Sequence, residues 1–144
     1  MDVCAVYHPD PEAPLWSLPL MLCSVPAGFP SPADDFIEQR LDLTSHLVRN
    51  PEATFFVRAK GDSMTDIGIQ DGALLVVDRS LEAVNGRVVV AVVDGALAVK
   101  RLRRRNGRVW LESEPQPPRN YPPIEVTDAD AVVWGVVIAA VNAL

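Results

Sequence analysis

Arg87-Val88-Val89-Val90-Ala91-Val92-Val93-Asp94-Gly95-Ala96-Leu97-Ala98-Val99-Lys100-Arg101-Leu102-Arg103-Arg104 decides how this chain folds. Two β-branched and aliphatic runs flank Asp94-Gly95, a dipeptide that accepts the positive φ of a tight hairpin turn. The stretch therefore predicts two adjacent antiparallel strands. Asn106-Gly107 repeats the device before residues 108–112, adding a third strand. Further runs at residues 54–59, 73–77 and 131–141 have the same strand character. Asp71-Gly72 and Asn85-Gly86 supply turn chemistry between runs. The expectation is a mainly β, compact antiparallel domain.

Upstream of residue 54 the pattern changes. Pro9, Pro11, Pro14, Pro19 and Pro26 oppose both helix and central strand, so residues 1–27 read as an extended arm. Its apolar residues Leu15, Trp16, Leu18, Leu20, Met21 and Leu22 are costly to leave in water, which favours an arm docked on another surface. Ser31-Pro32 resembles a helix cap with proline in the first turn, and Asp34, Asp35 and Glu38 suit the positive end of a helix dipole. One or two short helical turns are expected between Pro32 and Val48.

Composition limits the function classes. The 144 residues fit one domain, with 49% apolar and 22% charged residues, so a packed core is available. A net charge of −6 opposes general affinity for nucleic acid. Residues 100–108 are locally basic, and a solvated basic face is the default expectation there. Direct DNA binding is expected to be weak or absent. Cys4 and Cys23 lack His or Cys neighbours at metal-site spacing, so no metal or other cofactor is expected and the thiols are read as free. The apolar segment 15–25 has no basic residue before Arg40 and is too short to span a bilayer. No membrane association and a cytoplasmic location are expected.

The chemistry centres on two residues. Ser63 lies in Gly61-Asp62-Ser63-Met64, directly after a strand run, where a turn presents its hydroxyl at a rim. Lys100 shares a strand face with Ala96, Ala98 and Leu102 by the period of two. An apolar setting penalises the lysine's charged form and suits it as a general base for serine. The backbone N–H of Ser63 is a candidate oxyanion donor. Gly-Asp-Ser is also ordinary turn chemistry, and Lys100 also begins a basic run; position alone leaves those readings open. His8 sits in the arm and His46 in a helical stretch, neither in the context of a Ser-His-Asp triad. There is no repeat, phosphate loop or helix-turn-helix.

Several motifs in order resemble one family. Phe29-Pro30-Ser31-Pro32-Ala33, Gly61-Asp62-Ser63-Met64, Gly68-Ile69-Gln70-Asp71-Gly72, Ala91-Val92-Val93-Asp94-Gly95, Val99-Lys100 and Trp134-Gly135-Val136-Val137-Ile138 look like the UmuD family of LexA-like Ser-Lys peptidases. The resemblance covers residues 28–144 and is weaker in the arm. It implies a LexA-like, signal-peptidase-like β fold, with Ser63 as nucleophile and Lys100 as base. It also implies a homodimer that cleaves itself when stimulated by the RecA filament on single-stranded DNA, then joins a UmuC-type translesion DNA polymerase. The implied scissile bond is Ala27-Gly28, separating an arm of residues 1–27 from a peptidase and dimerisation domain of residues 28–144. Alanine stands here where UmuD proteins commonly have cysteine, as in LexA-type repressors. The alternatives are a LexA-like repressor fragment, disfavoured by the short segment before Ala27, and a catalytically silent interaction module of the polymerase.

Overall fold

The computed structural model describes residues 1–21, 37–115 and 121–144. Cys23, the Ala27-Gly28 bond, the Phe29 to Ala33 motif and the expected helix start at Ser31-Pro32 lie outside the described residues. Two compact units emerge, one of Met1–Pro9 with Asn50–Leu144 and one of Asp10–Arg49.

The larger unit is built from β1 (Asp2–Tyr7), β4 (Thr54–Lys60), β5 (Leu74–Asp78), β6 (Val88–Val93), β7 (Ala96–Arg105), β8 (Arg108–Glu112), β9 (Ile124–Val126) and β10 (Val133–Val141). Their order is β1-β4-β5-β10-β6-β7-β8-β9, and β1 also pairs with β7. That extra pairing closes the first six strands into a ring, while β8 and β9 continue outward from β7. Closure removes exposed sheet edges that would otherwise invite pairing with other chains. The mainly β, LexA-like expectation therefore holds.

The turns follow the chemistry read from the sequence. Asp94 and Gly95 have φ of 50° and 78°, and Asn106 and Gly107 have 51° and 76°, as type I′ hairpins require. The β6/β7 hairpin aligns Val89 with Lys100 and Ala91 with Ala98. Two apolar clusters fill the unit. One gathers Val57, Ala59, Met64, Leu75, Val77, Val90 and Val99 with Met1. The other gathers Val89, Ala91, Leu102, Leu111 and Val136. Gly135 lets β10 pass close to β5, since a Cβ there would lie 2.5 Å from Val77 Cγ1.

The smaller unit holds a short helical turn within the range expected, between Pro32 and Val48. Ahead of it, residues Ile37–Asp42 form a strand, β3, paired antiparallel with β2 (Ser17–Met21). Among the described residues of this unit, helix is confined to α1, Leu43–Leu47, whose start is capped by Asp42 accepting from the Ser45 amide. Asp42 also accepts from Trp16 N–H, which ties the two sides of the strand pair together and competes with helix at residue 42. Pro19 is tolerated because β2 belongs to a two-stranded sheet and needs partners on one side only. Leu15, Trp16 and Leu18 of this unit are exposed. A second short helix, α2, spans Ala129–Val132 in the larger unit.

Buried polar chemistry pins the end of β5. Asp78 is 1% exposed and accepts from Asn50 Nδ2 at 2.7 Å, Ser80 N at 2.8 Å and Ser80 Oγ at 2.6 Å. Burial pushes its carboxyl up, but the Ser80 and Asn50 donors outweigh that and hold it below its ordinary value. Asp78→Ala leaves these donors unpaired and should cost about 1–3 kcal/mol. A depressed carboxyl stabilises fully above its unfolded pKa of about 3.9 and loses this contribution as pH falls through the folded value. The stability gap to wild type, measured by urea unfolding, should therefore narrow below about pH 4.

The basic run is not a bare basic face. Along β7, Arg101 and Arg103 approach Glu114 at 3.7 and 3.1 Å, and Arg103 and Arg105 approach Glu112 at 3.4 and 2.6 Å. Arg108 approaches Glu125 at 3.6 Å. Cross-strand carboxylates thus offset much of the charge that a phosphate backbone would need.

Candidate active site

Strand β4 ends at Lys60, and the chain turns through Gly61 at φ 109°, a conformation side chains rarely adopt. Gly61 N–H is fixed by Asp71 Oδ1 at 2.7 Å. Two residues on, Ser63 is 2% exposed, and Met64 behind it is wholly buried in the core. The loop is clamped to the chain beyond β8: Glu114 N–H donates to Ser63 O at 2.6 Å, and Asp66 N–H donates to Glu114 O at 2.8 Å. A 3-10 turn at Thr65–Ile67 and Gly68 at φ 87° complete the reversal. Tyr121 O–H donates to Asp62 Oδ1 at 2.8 Å, so Asp62 serves the loop.

Lys100 comes from the middle of β7. Its Nζ donates to Ser113 Oγ at 2.8 Å, beside the Glu114 that holds the Ser63 loop. Burial holds its pKa below the ordinary lysine value, and the Asp2 carboxylate opposes that shift only in part. The expectation that an apolar setting depresses Lys100 agrees with this direction.

A third group completes the site. The α-amino group of Met1 donates to Ser63 Oγ. Its pKa is lowered by burial first and by the Lys100 cation second. Met1 O accepts from Val99 N–H at 2.8 Å, and Asp2 pairs with Ala98 and with Lys60. Ser63 and Lys100 therefore converge on one amine, although the turn after β4 carries one and the middle of β7 the other.

The sequence reading missed Met1 and Ser113. Neither has a local motif; both reach the site only through strand pairing and the clamp beyond β8. His8 is placed elsewhere, with Nδ1 at 2.8 Å from Thr54 O and its ring 4.7 Å from Phe55. His46 lies in α1 of the smaller unit. Cys4 is a free, exposed thiol. Among the described residues no three His, Cys, Asp or Glu side chains gather as metal ligands, and no helix is long and apolar enough to cross a membrane.

A buried serine and a desolvated lysine, both acting on the Met1 amine within a closed β framework, form a candidate site for serine chemistry. Residues 19–138 match the Peptidase S24-like family model. The chain is 40% identical to protein SamA of Salmonella typhimurium over 93% of its own length and 91% of SamA. It is 42% identical to protein MucA of Escherichia coli over 84% of this chain and 82% of MucA. The LexA repressor of Shewanella piezotolerans is 42% identical over 81% of this chain and 54% of the repressor. The chain belongs to the Peptidase S24-like family and is a UmuD-like member of it. At family level this is the serine-peptidase type, and the relatives place the chain among SOS-related S24 proteins.

Proposed function

We propose that the chain is an SOS-mutagenesis protein that cuts its own Ala27-Gly28 bond with Ser63 as nucleophile and Lys100 as general base. The observation that carries this reading is the burial of Lys100 at the place where the Ser63 hydroxyl is also held. Neutral Lys100 takes the Ser63 proton as Oγ attacks the Ala27 carbonyl. The Ser63 backbone N–H supports the oxyanion. Collapse breaks the carbon-nitrogen bond, and protonated Lys100 returns its proton to the Gly28 amine. Water, activated by the same lysine, then hydrolyses the Ala27 ester and restores Ser63. Because enzyme and substrate are joined, or are partners in a homodimer, binding energy goes into orientation and turnover is unnecessary.

Family likeness further supports stimulation by the RecA filament on single-stranded DNA, and association of the processed homodimer with a UmuC-type translesion polymerase in the cytoplasm. The test is incubation of the purified chain with activated RecA filament, followed by intact-mass measurement. Fragments ending at Ala27 and starting at Gly28, lost in Ser63→Ala, are the expected result. A wild-type chain that stays whole overturns the reading and favours a silent interaction module.

A further inference from the structure

Strand β1 has an unequal grip on its two neighbours. Along β4 it pairs Asp2 with Lys60, Val3 with Ala59, Ala5 with Arg58, Val6 with Val57 and Tyr7 with Phe56, with an irregularity between Val3 and Ala5. Against β7 the pairing is Asp2 with Ala98 alone, supported by the Met1 carbonyl on Val99 N–H. Apolar anchoring is also concentrated at one end. Met1 is 8% exposed in the core cluster and Val3 packs against it, whereas Val6 and Tyr7 are 42% and 53% exposed. Backbone pairing of this kind is tolerant of sequence, so another extended segment can make the same bonds.

The anchored end matters most. The Met1 amine occupies the hydrogen-bonding position on Ser63 Oγ, and the side chain behind it is buried. A carbonyl carbon must come to roughly 3–3.5 Å from that oxygen before attack, and it cannot do so while the amine and the Met1 backbone stand there. The structure is therefore closed to a substrate at the atom that would react.

We propose that the trough beside Ser63, between β4 and the start of β7, is a binding site for an extended peptide strand, and that β1 is its resident occupant. The incoming strand is the chain's own segment around Ala27-Gly28, and in this identity the inference rests on the function proposed above. β1 must leave, at least at Met1 to Val3, before that segment reaches Ser63. Its release opens the ring between β4 and β7 and exposes two strand edges, which the incoming segment then covers.

A reversible cross-link tests this. Asp2 and Lys60 are directly opposed and exposed, and Cα atoms of opposed antiparallel residues lie about 4.5–5.5 Å apart, within disulfide range. Asp2→Cys/Lys60→Cys is made in a Cys4→Ser/Cys23→Ser background, and its oxidised and reduced forms are compared. One readout is Ser63 modification by a fluorophosphonate probe, located by peptide mass, and the other is self-cleavage. Oxidation should slow probe labelling at least about tenfold, with recovery on reduction, because the trough stays filled. Val3→Asp sets a carboxylate against the apolar cluster and should speed labelling severalfold. Equal labelling of oxidised and reduced forms, or no labelling of Ser63 in Val3→Asp, overturns the occupancy of the trough by β1. Labelling that responds as expected while no form cleaves itself supports the occupancy and overturns self-cleavage instead. Cleavage equally fast in oxidised and reduced forms supports self-cleavage and overturns the requirement that β1 leave.

Discussion

Lys100→Met is expected to abolish self-cleavage at neutral pH without lowering the thermal midpoint. Losing one member of a catalytic pair costs about 10³–10⁶-fold in rate, because the serine then has no base and the departing amine no acid. The pH dependence of wild type provides the companion measurement. Burial depresses Lys100, so below its folded pKa the neutral fraction grows tenfold per pH unit and the cleavage rate should climb with it. The rise should level off before the ordinary lysine value of about 10.4. A rate flat from neutral to alkaline pH counts against a lysine base. Stability moves with pH in the same direction as activity, over a higher pH window. A base whose folded pKa is lowered binds fewer protons when folded, so stability rises with pH between the folded and unfolded values. The charged lysine is thus a burden on the fold at neutral pH, and an isosteric apolar side chain relieves it. A Tm in Lys100→Met well below wild type would show that the lysine instead supports the structure.

Leu102→Ala should have the largest effect on stability. Leu102 is wholly buried in the second cluster with Val89, Ala91, Leu111 and Val136, and it pairs with Leu111 across β7 and β8. Truncation removes transfer energy and leaves a cavity, with an expected cost of about 2–5 kcal/mol. That is a large share of the roughly 5–15 kcal/mol that holds a domain of this size folded. Lys100 lies two residues away on the same strand, so cleavage should also slow through misplacement of its amine. Urea unfolding gives the first quantity and timed intact-mass measurement the second. A midpoint shift worth less than about 1 kcal/mol would mean that the cavity collapses fully.

Both variants concern a strand that is legible without coordinates. Asp94-Gly95 and Asn106-Gly107 are local turn signals, and the runs around them need only the period of two to read as strands. β4, β5, β6, β7, β8 and β10 all fall on such runs, ending no more than one residue beyond them. β9 is three residues long, too short for periodicity to register. β3 was hidden for another reason. Polar residues within Ile37–Asp42 satisfy helix patterning as readily as strand patterning, and pairing with β2 decides between them.

The site divides along the same line. Ser63 and Lys100 stand out because a serine after a strand end and a lysine among apolar residues carry chemical meaning in their immediate surroundings. Met1, Ser113 and Glu114 carry none. β1 shows the reason most plainly: prolines at 9, 11 and 14 mark the arm as irregular, yet residues Asp2–Tyr7 before them complete a closed ring. The amino-acid sequence by itself determined the strands, their tight turns and the two residues suited to serine chemistry, because each depends on neighbours a few positions away. Only the tertiary structure decided which strand closes the barrel and which amine rests on Ser63. Those outcomes depend on long-range backbone pairing, which is nearly blind to side-chain identity and so leaves little trace in the sequence.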